Sequence, residues 1–63
     1  MNANTSIVSL SLNSNTVRFE TAKDAPQWTT MHNSAGECAT IATTEARARI
    51  ATLLGAGWLV SSR

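Results

Sequence analysis

The feature that most constrains the fold is an alternation of apolar and polar side chains between residues 6 and 21. Val8, Leu10 and Leu12 alternate with serines, which is the two-residue period of a half-buried β-strand. After a polar interruption the same period resumes at Val17. Because two such runs follow each other closely, residues 6–21 are predicted to form a β-hairpin.

The position of the hairpin turn determines which side chains face each other across the two strands. We predict a two-residue turn at Ser14 and Asn15. Leu12 then lies opposite Val17, and the apolar side chains of both strands fall on one face, as a hairpin register requires. The remaining pairs in this register are Leu10 with Phe19 and Val8 with Thr21.

Further strands are predicted after the hairpin. Residues 27–32 are rich in β-prone side chains and are interpreted as a third strand. The segment 34–42 leaves two alternatives open. It either returns as a fourth strand at 37–42, or it begins one long helix with Ser34 and Glu37 as a capping box. We prefer the strand, because the β-branched residues Thr40, Thr43 and Thr44 would crowd such a long helix and disfavour it.

Residues 43–55 have the apolar spacing of an amphipathic helix. Thr43 is predicted to be its N-cap, and Glu45 lies in the first turn, where the helix dipole favours a carboxylate. Glu45 and Arg49 are four residues apart in the favourable orientation for an ion pair. The apolar stripe of this helix consists of Ala46, Ile50, Leu53 and Leu54.

These elements predict an α+β fold, in which a small antiparallel sheet of three or four strands has one C-terminal helix packed on one face. The whole chain, 1–63, is interpreted as a single small domain, since its length supplies only one hydrophobic core. The apolar segment 58–60 follows the helix as a short strand or a flap. The predicted core consists of Val8, Leu10, Leu12, Val17, Phe19, Trp28, Ile41, Ala46, Ile50, Leu53 and Leu54.

Length and charge argue against several classes of function. A chain of 63 residues buries too little surface to hold a deep catalytic cleft comfortably. Its net charge of +1 gives no strong field to attract nucleic acid or anionic lipid. The sequence has no run of about 18 apolar residues, so no membrane span is expected.

Cysteine content and the N-terminal residues bear on the cellular compartment. Cys38 is the only cysteine, so no intramolecular disulfide is expected. The N-terminus lacks a basic region followed by an apolar core, so no secretory signal is predicted. We therefore expect a reducing, cytoplasmic setting.

Two short patterns resemble reactive or ligand-binding sites, and both are incomplete. His32, Glu37 and Cys38 form the only such cluster, but zinc needs three or four ligands and a thiolate nucleophile needs a base in contact. Cys38 is interpreted as a small core residue and His32 as a surface residue of a strand. The Gly-Ala-Gly sequence at 55–57 is interpreted as a helix cap, not a phosphate loop. No catalytic residue, cofactor or metal is predicted, and we do not expect an enzyme.

The remaining signals indicate a protein partner. The first predicted strand carries no charged side chain, and Ile7 lies on its polar face among serines. Two interpretations of the tryptophans are open. Either Trp28 and Trp58 both cap the core, or one of them is exposed and anchors an interface. We hypothesise a small non-enzymatic protein-binding module, an inhibitor or accessory factor of the mobile-element type, that occupies a surface of a larger partner.

The predicted mode of binding is strand addition at the edge of residues 6–12, since unpaired backbone groups give affinity without side-chain chemistry. The residues expected at this partner-binding surface are Ile7, Ser9, Ser11, Arg18, Glu20, Trp28 and Trp58.

Two alternatives remain open. One is a homo-oligomer, because low net charge gives little protection against self-association. The other is a nucleic-acid-binding sheet, which the small net charge disfavours. The order of strands and helix is similar, at the level of fold alone, to small modules that lay a three-stranded sheet on DNA. The residues assigned to phosphates in this alternative are Arg18, Lys23, Arg47 and Arg49.

Overall fold

Five strands and one helix make up residues 5–61, the part of the chain that the computed structural model describes. The strands lie in the order β4-β3-β2-β1-β5, and every pair of neighbours is antiparallel. This arrangement confirms the predicted α+β class. The elements are β1 (Thr5–Leu12), β2 (Asn15–Ala22), β3 (Trp28–Asn33), β4 (Cys38–Ala42), α1 (Thr43–Gly55) and β5 (Leu59–Val60).

The number of strands differs from the expected three or four, because the segment after the helix adds a fifth. Leu59 and Val60 pair with Ser11 and Leu10 of β1. A two-residue strand is too short to show a period in the sequence, so its place in the sheet depends on the turn that precedes it. In the segment 34–42, the structure has the strand β4 and not the beginning of a longer helix.

The hairpin turn lies one residue earlier than predicted, at Asn13 and Ser14, so that Leu12 pairs with Asn15. Asn13 has a φ of 57°, and asparagine tolerates a positive φ far better than serine does. The register therefore shifts by two residues, and each apolar side chain keeps its predicted face. The corrected pairs are Leu10 with Val17 and Val8 with Phe19.

The hydrophobic core lies between the sheet and α1. Leu10, Phe19 and Ala46 are buried at its centre. Three residues of the predicted core, Leu12, Trp28 and Leu54, are not part of this cluster, and Met31 and Trp58 take part instead. The partly buried side chains packed against the centre are Val8, Val17, Met31, Ile41, Ile50, Leu53 and Trp58.

Trp28 and Leu54 are outside the core for geometric reasons. Trp28 pairs with Ala42, and its side chain alternates with buried Thr29, so it points to the face without the helix. Leu54 follows Leu53 by about 100° around the helix, which carries it to the edge of the apolar stripe. Trp28 is 52% exposed and Leu54 is 45% exposed.

The start of α1 differs from the prediction that Thr43 is its N-cap. The N-cap is Ala42, without a side-chain capping bond. The Thr43 hydroxyl donates instead to the carbonyl oxygen of Pro26 at 2.6 Å. A second contact of 2.9 Å joins the Thr43 and Thr29 hydroxyls. The side chain therefore ties the helix start to the loop after β2 and to β3.

The end of α1 is a Schellman motif built around Gly57. The backbone N–H of Trp58 donates to the oxygen of Leu53 at 3.0 Å, and that of Gly57 donates to Leu54 at 3.2 Å. Gly57 has a φ of +104°, which glycine adopts without a steric penalty. This turn reverses the chain and brings β5 beside β1.

Candidate functional site

The sheet has two different faces, because α1 covers only one of them. Within residues 5–61 no second helix exists to cover the other face, which we call the outer face. Directly paired residues share a face, so the pairs with Ile7, Ser9 and Ser11 extend it across the sheet. Six of the seven residues predicted for partner binding lie there: Ile7, Ser9, Ser11, Arg18, Glu20 and Trp28.

The seventh predicted residue, Trp58, lies elsewhere. It is partly buried and packs against the core on the helix side of the sheet. The Schellman motif at the end of α1 holds it beside Leu53. Of the two tryptophans, Trp28 alone is exposed on the outer face.

The centre of the outer face is a charged cluster that is internally compensated. The Arg18 Nε lies 2.9 Å from Oε2 of Glu20, and the Nε2 of His32 lies 3.5 Å from the other carboxylate oxygen. Arg18 pairs with His32 across β2 and β3, which places the three side chains together. Arg18 and Glu20 carry opposite charges, so this pair adds no net charge to the outer face.

Three apolar side chains surround this polar cluster. Ile7 is 48% exposed on β1, Trp28 is 52% exposed on β3, and Leu59 is 70% exposed on β5. Leu59 reaches the outer face because it pairs with Ser11. The outer face therefore combines a compensated polar centre with an apolar rim.

Two residues of this surface, His32 and Leu59, were not in the predicted set. His32 could have been found from the alternation of Trp28, Thr30 and His32 along the third strand. Leu59 carries no comparable signal, because its face depends on how β5 pairs with β1.

The predicted open edge at 6–12 is only partly open. Strand β5 pairs with Leu10 and Ser11, and the backbone N–H of Ser61 donates to the oxygen of Ser9 at 2.7 Å. Within residues 5–61 the two edges of the sheet are β4 and the two-residue β5, and β4 is the longer of them. Strand addition along all of 6–12 is therefore wrong as a mechanism.

The residues of the possible reactive cluster are engaged in other ways. Glu37 accepts a hydrogen bond from the side-chain amide of Asn33 at 2.9 Å. Cys38 is exposed at the sheet edge, so its interpretation as a core residue is wrong. His32 is a half-exposed strand residue opposite Cys38. In the described part of the chain, no three His, Cys, Asp or Glu side chains are grouped as metal ligands.

The four basic residues of the nucleic-acid alternative are divided between the two layers. Arg18 lies on the outer face with Glu20, whereas Arg49 lies on α1 with its NH2 group 2.9 Å from Glu45. Lys23 and Arg47 line one groove of about 360 Å³ beside the helix. No single described surface brings the four cations together.

The chain matches no protein-family model, no curated protein and no solved structure. Between residues 5 and 61, no helix has the length and apolar character needed to cross a membrane.

Proposed function

We propose that the protein is a small non-enzymatic binding module, an inhibitor or accessory factor, whose outer face occupies a surface of a larger protein. The observation that supports this most strongly is the grouping of six predicted contact residues on one sheet face that α1 leaves open. The hydrophobic core occupies the helix side of the sheet, so the outer face is the face of the sheet that remains available to a partner.

The chemistry of the outer face suits a protein better than a polyanion. Exposed Trp28 and Ile7 supply apolar area, and tryptophan is enriched among the residues that dominate binding energy. Arg18 is already paired with Glu20, so a phosphate would have to compete with a carboxylate held at 2.9 Å. Serine and threonine hydroxyls between these groups supply adaptable hydrogen bonds.

The experiment that tests this proposal compares partner capture by three forms of the immobilised protein. We expect the wild type to retain a defined protein from an extract of the native host, identified by mass spectrometry. The double variant Ile7→Ser, Trp28→Ser removes two rim side chains that pack on nothing in the core, and we expect it to lose that protein. Far-ultraviolet circular dichroism establishes that the variant remains folded.

The matched control is Leu54→Ser, which removes a similarly exposed apolar side chain from α1. This variant is expected to retain the partner. Equal capture by the double variant and the wild type, or loss on changing Leu54 alone, contradicts the proposal.

The dependence of binding on salt concentration distinguishes the nucleic-acid alternative from the proposed function. Binding through phosphates weakens steeply as the salt concentration rises, because condensed counterions are released. Titration of the purified protein with a labelled oligonucleotide at two salt concentrations should show no measurable binding at the lower one. Tight, salt-sensitive binding there would favour the sheet-on-nucleic-acid function.

A further inference from the structure

Among residues 5–61, the backbone of β4 has a regular set of hydrogen-bonding groups without a partner. Asn33 donates its N–H to the oxygen of Glu37 at 3.0 Å, and Thr43 donates to Gln27 at 2.9 Å. Bonded and non-bonded pairs alternate in an antiparallel ladder, so the intervening bonded residues of β4 are 39 and 41. The other three residues of the strand, Cys38, Thr40 and Ala42, therefore direct their N–H groups away from β3. The C=O groups of Cys38 and Thr40 also point away from β3, whereas the C=O of Ala42, the N-cap of α1, accepts the first hydrogen bond of the helix.

This edge lacks the features that usually protect an exposed strand. The segment 38–42, CATIA, contains no charged residue and no proline. Its pairing with β3 is continuous from Cys38 to Ala42, without a bulge. Charges, prolines and bulges are the common devices that stop edge strands from pairing with another chain.

We propose that β4 pairs antiparallel with β4 of a second copy of this chain, with Thr40 on the two-fold axis, so that the two sheets become one. This register sets Thr40 opposite Thr40 and Cys38 opposite Ala42 of the second copy. The Thr40 pair exchanges two hydrogen bonds, and in each Cys38–Ala42 pair the N–H of Ala42 donates to the oxygen of Cys38, so about four bonds join the two strands. The contact is isologous and closes on itself, so it stops at a dimer.

The side chains in this register fit a second copy. On the helix side, Ile41 of one chain lies beside the small Ala39 of the other, which extends the apolar surface of the core. On the outer face the opposed side chains are small and uncharged. Like charges directly opposite each other, which destabilise a sheet, are absent from 38–42.

The ends of the paired segment are also complementary in charge. The next pair outward in the same register is Glu37 with Thr43 of the second copy. Thr43 is the first residue of α1, whose N-cap Ala42 supplies no side-chain capping bond. A carboxylate is stabilised near the positive end of a helix dipole. The register that satisfies the backbone thus also brings an acidic side chain to each helix start.

The strength of this association follows from its size. A five-residue edge contributes less than the roughly 800 Å² per partner of a standard stable interface. The dimer is therefore weak, and the fraction of chains in it rises with protein concentration. It does not depend on the proposed function of the outer face, because the outer face stays open when β4 is paired.

The first test is sedimentation of the purified full chain over a range of concentrations up to millimolar. We expect the wild type to shift from monomer to dimer as its concentration rises. Thr40→Lys places two like charges opposite each other on the axis and should raise the dissociation constant severalfold. The matched control is Thr30→Lys. It adds the same charge on β3, opposite Thr40 but away from the sheet edge, and should dimerise like the wild type.

The second test reads the register by cross-linking. In a Cys38→Ser background, Thr40→Cys sets two thiols opposite each other at a Cα separation of about 5.5 Å, within the range of a disulfide. Mild oxidation should give a covalent dimer on a non-reducing gel. Thr30→Cys in the same background should not, and neither should wild-type Cys38, whose copies are about 13 Å apart along the ladder.

Three results would each overturn the proposal. The first is a wild type that stays monomeric at millimolar concentration. The second is a Thr40→Lys variant that associates as the wild type does. The third is oxidation in which Thr40→Cys cross-links no faster than Thr30→Cys.

Discussion

Thr29 is the buried polar side chain of the described core, with 2% of its surface exposed. Its hydroxyl lies 2.7 Å from that of Thr21 and 2.9 Å from that of Thr43. Because the single proton of Thr43 goes to the oxygen of Pro26, Thr29 must donate to Thr43, and Thr21 to Thr29. One directed chain of hydroxyls thus joins β2, β3 and the helix start.

Thr29→Val is expected to lower the free energy of unfolding by about 1–3 kcal/mol. The substitution keeps the side-chain shape but removes the donor to Thr43 and the acceptor for Thr21. Urea denaturation measures the change. The control is Thr30→Val, which breaks an exposed hydroxyl contact of 3.2 Å with Thr40 and should cost less than about 0.5 kcal/mol. Equal urea midpoints for the two variants would contradict the stabilising role of the three linked hydroxyl groups.

At the scale of the element, the end of α1 determines where β5 and Trp58 lie. Gly55 is inside the helix, whereas Gly57 follows it with a φ of +104°. A Cβ at either position meets no atom within 4 Å, so substitution acts through the backbone conformation and not through a clash. The two glycines form a matched pair that isolates the conformational effect.

Gly57→Ala is expected to destabilise the protein by about 1–2 kcal/mol, because a Cβ disfavours the left-handed region. Gly55→Ala is expected to stabilise it by roughly 0.5–1 kcal/mol, because alanine has less backbone freedom to lose in a helix. Thermal or urea unfolding gives both values. A Gly57→Ala variant as stable as the Gly55→Ala variant would show that the Schellman motif does not hold the helix end.

The elements with a clear period could be predicted from the sequence, and those set by local turn geometry could not. The helix occupies 43–55 as its apolar spacing indicated, and the faces of β1 and β2 follow from their alternation. The register depended on Asn13 adopting a positive φ, which the alternation does not encode. The same alternation assigned five of the seven predicted contact residues to the outer face. Trp28 was left open between core and surface, and Trp58 required knowledge of the turn at Gly57.

At the scale of the whole molecule, the fold is asymmetric. One helix seals one side of a five-stranded sheet, and the chain described, 5–61, leaves the other side open. Exposed ion pairs contribute little to stability, so the Arg18–Glu20 pair adds little to the free energy of folding. Exposed apolar side chains grouped on an open sheet face are typical of an interaction surface.

Oxidative footprinting tests most directly whether the outer face is the binding surface. The protein is labelled alone and in the complex captured from a host extract, and mass spectrometry gives the labelling of each side chain. The proposed function predicts that labelling of Trp28 and Ile7 falls severalfold in the complex, while Leu54 on α1 is labelled equally in both states. Unchanged labelling of Trp28, with protection confined to α1, would place the partner on the helix and contradict the outer face as the binding surface.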